Sequence, residues 1–421
     1  MTTSPTPAAQ TGSYKLAFVL VTSLFFLWAF VHNLEPILIP HLKKACQLSD
    51  FQSALIDSSV YLAYFLMAIP AGVVMKRYGY KRGILVGLAL YALGALLFIP
   101  AANTRLYGLF LGALFIIAAG CAFLETAANP YVTQLGPPQT ATTRLNLSQS
   151  FNGLGAFLAP LLGGKLILSG IEHTPAELAA MTPAALDTYL QFEADSVKLP
   201  YLVIAGVVGL VMLLFWFTPL PDVRNAVSNR VSSVRTALKN RQLVAGIVAQ
   251  FFYVGAQVCV TSFFIRFAKF TSNVPERQAA DWLSYALLGF LIGRFVGTFL
   301  TRYVPATRLL TGYALVSMAL LAVALTAKSE LAVWALFAVP FFESIMFPTI
   351  FALGINRLNN DREMGASLLV MAIAGGAFFP LLMGWISDQT TIQTAYIVPL
   401  LCFAVVAWFG WRGNTLTNTP A

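Results

Sequence analysis

Runs of mostly apolar residues recur along the chain, separated by short polar or basic joints. Crossing about 30 Å of hydrocarbon takes a helix of roughly 20 such residues. A window of that length fits at twelve places: 15–42, 51–76, 82–102, 106–134, 144–170, 199–220, 241–269, 279–303, 307–327, 331–356, 364–388 and 392–412. The pattern predicts an all-α membrane protein with spans 1 to 12 in that order.

Two joints are longer than the rest. Residues 171–198 are acidic and contain Thr174-Pro175-Ala176-Glu177, a capping-box spacing with proline at the first helical position, which predicts a short structural helix on the outer surface. Residues 221–240 are basic and rich in Ser and Asn, with no apolar run. They read as a cytoplasmic linker between two six-helix bundles, 15–220 and 241–412, with cytoplasmic tails at 1–14 and 413–421.

Composition narrows the class. Of 421 residues, 58% are hydrophobic, 13% aromatic and only 10% charged, with a mean hydropathy of +0.75. A soluble domain is about a quarter charged, so this chain cannot coat a water-facing surface. Disorder, collagen and disulfide scaffolds fail on the same counts. Cys46, Cys121, Cys259 and Cys402 lie far apart, and three sit inside apolar runs; they read as small core residues, with no metal site.

The formal charge of +9 is explained by topology rather than by a nucleic-acid partner. With both termini in the cytoplasm, sixteen Lys and Arg fall on inner flanks and loops. Seven (Lys43, Lys44, Arg105, Lys198, Lys269, Arg277, Lys328) fall outside, as the positive-inside rule requires. Met1–Ser13 is uncharged and shows no removable signal. The expected place is the bacterial inner membrane, with lipid as the surroundings and the chain a monomer.

The halves echo one another. Gly72-Val-Val-Met-Lys-Arg-Tyr-Gly-Tyr-Lys-Arg82 follows span 2, and Gly293-Arg-Phe-Val-Gly-Thr-Phe-Leu-Thr-Arg302 ends span 8. Each sets small residues at a helix end before inner basic charge, which suits close packing and a charged latch. Two such halves are what a parallel-repeat transporter requires.

Ionisable groups at bilayer depth are costly and mark cavities or pathways. Glu35, Asp57, Glu125 and Glu343 qualify. At 1.5 Å per residue, Glu343 lies near the middle of span 10, Glu125 about 8 Å inward on span 4, and Glu35 and Asp57 about 9 Å outward on spans 1 and 2. The two outer acids are placed to share a proton or hold a cation; the alternative is that each is capped or water-exposed near a helix end. Pro36 and Pro130 remove the bonds to the carbonyls of His32 and Thr126, so broken backbone beside a wet cavity is expected in spans 1 and 4. Arg266 and Lys165 sit toward outer ends where they can snorkel, and Arg294 reads as a latch between helices.

One amide can serve as both donor and acceptor to adjacent hydroxyls of a ligand, and aromatic rings can cover its apolar faces. Gln149 and Asn152 share a face of span 5; Gln250, Tyr253 and Gln257 share one of span 7; Asn33 and Asn129 lie beside the two prolines. Amides also glue helices together, but a cluster at central depth favours a ligand. Trp28 is placed either to stack on a sugar ring or to pack. Gly375-Gly376 reads as close helix packing, and no Walker loop or Cys/His ligand spacing is present, so an enzyme is not expected.

Phe25-Phe-Leu-Trp-Ala29, Ile39-Pro-His-Leu42, Leu124-Glu-Thr-Ala-Ala-Asn-Pro-Tyr131, Arg144-Leu-Asn-Leu-Ser-Gln-Ser-Phe-Asn152, Gln250-Phe-Phe-Tyr-Val-Gly-Ala-Gln257 and Phe347-Pro-Thr-Ile-Phe351 together resemble the major facilitator superfamily. Within it they resemble the fucose/galactose/glucose:proton symporter family, over nearly the whole chain. The resemblance implies the major facilitator fold and sugar uptake driven by protons, with one acid in span 4 and another in span 1. Glu125 matches the former. Pro36 stands where the family has the span 1 aspartate, and Glu35 is one residue earlier, about 100° around the helix. The family's sugar-lining amides coincide with Asn33, Gln149 and Asn152. Phe347 replaces a tyrosine in span 10, and Lys76 stands where the superfamily's loop motif has an acid.

The expectation is a secondary transporter that imports a hexose by alternating access. Gln149, Asn152, Gln250, Tyr253 and Gln257 hold the sugar, with Asn33, Asn129, Trp28 and Phe347 lining the site and Glu343 accepting a hydroxyl. Glu125 carries the coupling proton, with Asp57 and Glu35 as second candidates. No cofactor is expected beyond H+, or Na+ if acids and amide oxygens coordinate a hard cation instead. The other rivals are an exporter of amphiphilic or cationic compounds and a membrane receptor without flux.

Overall fold

The computed structural model describes residues 7–136, 141–171, 173–221, 237–355 and 362–416. Most of the 221–240 linker therefore lies outside the described residues, as does the side chain of Lys76.

Among the described residues, eleven helical stretches are both long and apolar enough to cross a membrane. Span 5 is the twelfth, a helix over Ala141–Leu166 whose first half carries Arg144, Ser148, Gln149, Ser150 and Asn152. Its length suffices; its polarity sets it apart. Span 1 begins at Pro7, so residues 7–14, expected as tail, extend the helix.

Several spans are interrupted. Span 1 is Pro7–His32 and then Glu35–Ala45, with Pro36 in the first turn of the second piece, where its missing N–H costs nothing. Span 7 divides into Arg241–Ser262 and Phe264–Ser272, and span 10 into Glu330–Glu343 and Met346–Ile355. Span 11 passes through a tight turn at Ala372–Ala374 before Gly375–Gln389. Span 4 corrects an expectation, because the helix Tyr107–Gln134 runs unbroken through Pro130.

Lipid tails give no hydrophobic drive between helices, so close backbone approach holds the bundle together. Spans 3 and 4 meet this way: a Cβ on Gly87 would lie 2.9 Å from the Gly120 carbonyl, and one on Gly94 2.7 Å from that of Ala113. Gly375 is tighter still, since a Cβ there would run into the Phe251 carbonyl oxygen, which bears out the packing role expected of Gly375-Gly376. Gly293 likewise abuts Phe341, whereas Gly72 has nothing within 4 Å among the described residues, so of these two glycines it is the one in span 8 that serves close packing. Arg294 latches span 8 to span 10 by donating to the Ser344 carbonyl at 3.4 Å. Gly79, with φ 86°, turns the chain between spans 2 and 3 in a conformation that suits glycine.

The 171–198 joint forms two helices, Pro175–Ala180 and Pro183–Asp195. The first carries the expected capping box: Glu177 N–H donates to Thr174 Oγ1 at 3.2 Å and Thr174 N–H to Glu177 Oε2 at 2.8 Å. The Thr174 N–H, with His173 beside it, holds the Glu177 carboxyl below the usual carboxylate range. Glu193 from the second helix is fully buried, 3.6 Å from His41 Nδ1 and from Lys44 Nζ, which ties the joint to the end of span 1.

Candidate functional site

The break in span 1 builds the first part of the site. His32 closes one helix and Glu35 opens the next, and His32 Nδ1 lies 2.9 Å from Glu35 Oε1. The other ring nitrogen meets the Tyr61 hydroxyl of span 2 at 3.0 Å. A cavity of about 10 Å³ beside them, close to the space one water needs, is lined by Val31, His32, Glu35, Val60, Tyr64 and Cys121 among others. Glu35 and Asp57 are 5% and 1% exposed, so neither is a water-exposed end residue. They are within electrostatic reach of one another but are not paired, because Asp57 Oδ1 accepts from Ser262 Oγ at 2.8 Å. Glu125 is half-buried on span 4 and faces the same group, within electrostatic reach of His32.

Ser262 belongs to span 7, so its bond to Asp57 joins the two halves of the chain. It is one of a set near the end of the molecule where span 1 finishes and span 2 begins, the distal end. Arg266 Nη1 donates to Asp50 Oδ1 at 2.6 Å and to Ser53 Oγ at 2.8 Å. Lys43 and Ser387 also reach the Asp50 carboxylate, each at 2.5 Å. Asp388 of span 11 accepts from the backbone N–H of Asp50 and Phe51 at 2.7 and 2.8 Å, capping span 2 from across the interface. Lys44 reaches Glu276 at 3.2 Å, Arg277 donates to the carbonyls of Leu168 and Ser169, and Ser58 donates to that of Ala377. Arg266 therefore does not snorkel, contrary to expectation. It is 9% exposed, its guanidinium lies 4.0 Å over the Phe263 ring, and Asp50 supplies the partner that a charge at this depth requires. Lys165 is exposed, as snorkelling requires.

The amides divide into groups. Gln149 Nε2 donates to Asn129 Oδ1 at 3.3 Å, and Asn129 Nδ2 donates to the Glu125 carbonyl at 3.0 Å. A polar relay thus runs from span 5 to the turn of span 4 that carries Glu125. Asn152 and Gln257 are half-buried. Gln250 and Glu343 are fully buried, and among the described residues neither the Gln250 amide atoms nor the two Glu343 oxygens have a hydrogen-bond partner, so these groups are suited to receive a polar ligand.

Three expected lining residues are committed elsewhere. The Tyr253 hydroxyl donates at 3.0 Å to the Glu343 carbonyl, satisfying the backbone at the break in span 10. Asn33 Nδ2 donates to the Ala29 carbonyl at 2.8 Å, tying off the end of the first helix. Trp28, 4% exposed with its ring 4.4 Å from that of Phe25, packs rather than presents a face. Phe347 is half-buried with its ring 6.3 Å from that of Tyr253.

The sequence reading passed over His32, Tyr61, Ser262, Asp50 and Asp388. His32 alone left a usable signal, since it stands three residues before an intramembrane acid on one helix face. The others are ordinary polar residues near helix ends until folding sets their partners beside them.

The model of the Major Facilitator Superfamily matches residues 16–374. A glucose/galactose transporter of Brucella abortus is 40% identical over 414 residues, 97% of this chain and 97% of its own length. An L-fucose-proton symporter of Escherichia coli is 43% identical over 423 residues, 98% of this chain and 96% of its own. A crystal structure of the transporter FucP in the outward conformation superposes with a TM-score of 0.69 at 42% identity, covering 95% of this chain and 99% of that one. A bacterial homologue of the lysosomal transporter Spinster, inward-facing and unoccupied, reaches a TM-score of 0.77 at 15% identity and shares the fold.

Proposed function

This chain belongs to the Major Facilitator Superfamily, and on that premise we propose that it imports a hexose by proton symport. The sugar class follows the glucose/galactose and L-fucose transporters that are 40% and 43% identical over nearly its full length. Among the residues, the observation that carries the reading is the relay from Gln149 through Asn129 to the backbone carbonyl of Glu125, which ties two hydroxyl-matching amides to the helix turn that carries an intramembrane acid. Gln149, Asn152, Gln250 and Gln257 hold the sugar, Glu343 accepts one of its hydroxyls, and Glu125 takes up and releases the coupling proton. Tyr253, Asn33 and Trp28 shape the site through the backbone and packing.

Protons are favoured over sodium because the two outer acids engage different partners. Glu35 faces His32 and Asp57 accepts from Ser262, so they do not converge on a shared cation. With both termini in the cytoplasm of a bacterial inner membrane, the distal end faces outside and the bonds across it close the outer entrance. The bundles 15–220 and 241–412 then rock about the site to expose it to either side. Coupling needs the loaded, protonated state to reorient readily while the charged, empty one does not.

The test is Glu125→Gln in proteoliposomes. Hexose counterflow should survive while proton-driven accumulation disappears; accumulation and pH dependence both intact would refute the assignment. Replacing sodium at fixed pH should leave uptake unchanged, and competition by hexoses rather than by hydrophobic cations separates import of sugar from export of amphiphiles.

A further inference from the structure

His32 sits at a mechanical joint. The first piece of span 1 ends at His32 and the second, Glu35–Ala45, runs on to the distal end, where Lys43 reaches Asp50 and Lys44 reaches Glu276. The 2.9 Å contact from His32 Nδ1 to Glu35 Oε1 therefore spans the break at ion-pair distance, between the base of that arm and the helix below. The other ring nitrogen, Nε2, meets the Tyr61 hydroxyl at 3.0 Å, and the Tyr61 ring occupies the space a Cβ on Gly376 of span 11 would need, 2.7 Å away. One ring thus touches both pieces of span 1 and, through Tyr61, the other half of the chain.

Its surroundings are one-sided in charge. The titratable groups facing it are Glu35 on its own span, Asp57, Tyr61 and Tyr64 from span 2, and Cys121 and Glu125 from span 4. Three are carboxyls, and among the described residues none is a cation. The cavity against the ring is close to the space that one water, a carrier for one proton, needs.

We propose that His32 is a second proton-binding residue of the transport cycle, and that its charge sets how firmly the two pieces of span 1 are pinned across their break. This rests on the proton-symport reading above. A proton added to the imidazole makes an imidazolium opposite the Glu35 carboxylate, which holds the outer arm against the distal bonds. Release of that proton returns a neutral ring, weakens the bridge and frees the arm. Glu125 answers to the sugar site through Asn129 and Gln149, and His32 answers to the distal closure; the electrostatic contact between them makes one proton's arrival felt at both.

The decisive variant is His32→Gln, which keeps hydrogen-bonding capacity toward Tyr61 but cannot become cationic. Proton-driven hexose accumulation should fall about tenfold or more relative to counterflow measured in the same vesicles. Labelling of a cysteine at position 58 by an impermeant maleimide from the distal side should vary between about pH 5 and 8 in the unaltered background and lose that variation in His32→Gln. Unchanged accumulation together with an unchanged pH profile would overturn the proposal. Should His32→Gln not fold, Tyr61→Phe decides, because removing the hydroxyl must shift the midpoint of that profile, and an unshifted midpoint overturns the proposal equally. Normal behaviour of His32→Gln alongside an uncoupled Glu125→Gln sinks only the role of His32, whereas absence of proton-driven hexose uptake in the unaltered protein sinks the symport reading itself.

Discussion

Replacing Arg266 with methionine tests whether the distal bonds hold the outer entrance shut. The side chain is 9% exposed, donates to Asp50 at 2.6 Å and Ser53 at 2.8 Å, and lies 4.0 Å over Phe263. Deleting one member of a buried ion pair typically costs about 3–5 kcal/mol, mostly from the charge left behind. Asp50 keeps Ser387 and Lys43 here, and the Lys43 side chain is 35% exposed, so its compensation is partial and screened. A loss of about 2 kcal/mol is then expected. Arg266 and Asp50 stand on different halves of the chain, so the loss falls on the sealed state and not on one in which the halves have parted. At 1.4 kcal/mol per tenfold, the ratio of sealed to open should fall about 30-fold. The reporter is a cysteine replacing Ser58, whose hydroxyl donates to the Ala377 carbonyl across the interface at 2.6 Å, in a background where Cys46 is serine. Impermeant maleimide from the distal side should label it about tenfold faster or more with Arg266→Met than without. Equal rates would show that the pair merely tolerates burial and does not bias the conformation.

Gln149→Ala should weaken hexose binding by about 1–3 kcal/mol, because it removes an amide from a sugar hydroxyl and strands the Asn129 oxygen; calorimetry on purified protein would show unchanged affinity if Gln149 only glues spans 4 and 5. Gly375→Ala should lower the melting temperature by several degrees or prevent folding, since its Cβ would run into the Phe251 carbonyl oxygen. Gly72→Ala, with nothing within 4 Å, should raise it slightly through helix propensity worth about 0.5–1 kcal/mol. A destabilised Gly72→Ala or a neutral Gly375→Ala would contradict the packing described.

The long apolar runs were enough to place the helices, because a bilayer leaves a buried backbone few alternatives to satisfying itself within a helix. The Thr174 capping box and the tight packing at Gly375 were legible for a similar reason, as both depend on neighbours in sequence or on the want of a side chain. Prolines were read less well. Pro36 coincides with a break because it starts a helix, while Pro130 sits inside one that continues past it. A proline removes one bond, and whether the helix parts there depends on what surrounds the freed carbonyl.

Depth along a helix follows from counting residues, so the level of Glu35, Asp57, Glu125 and Glu343 in the membrane could be estimated from the chain alone. Which way each one faces, and what it meets there, is fixed by contacts between residues far apart in the chain. Asp57 meets Ser262, Arg266 meets Asp50, and Asp388 caps span 2. No local pattern encodes such pairings. The sequence determined that charge would be held inside a membrane bundle next to amides, and the tertiary structure alone decided which charges became the seal between the halves and which were left beside the site.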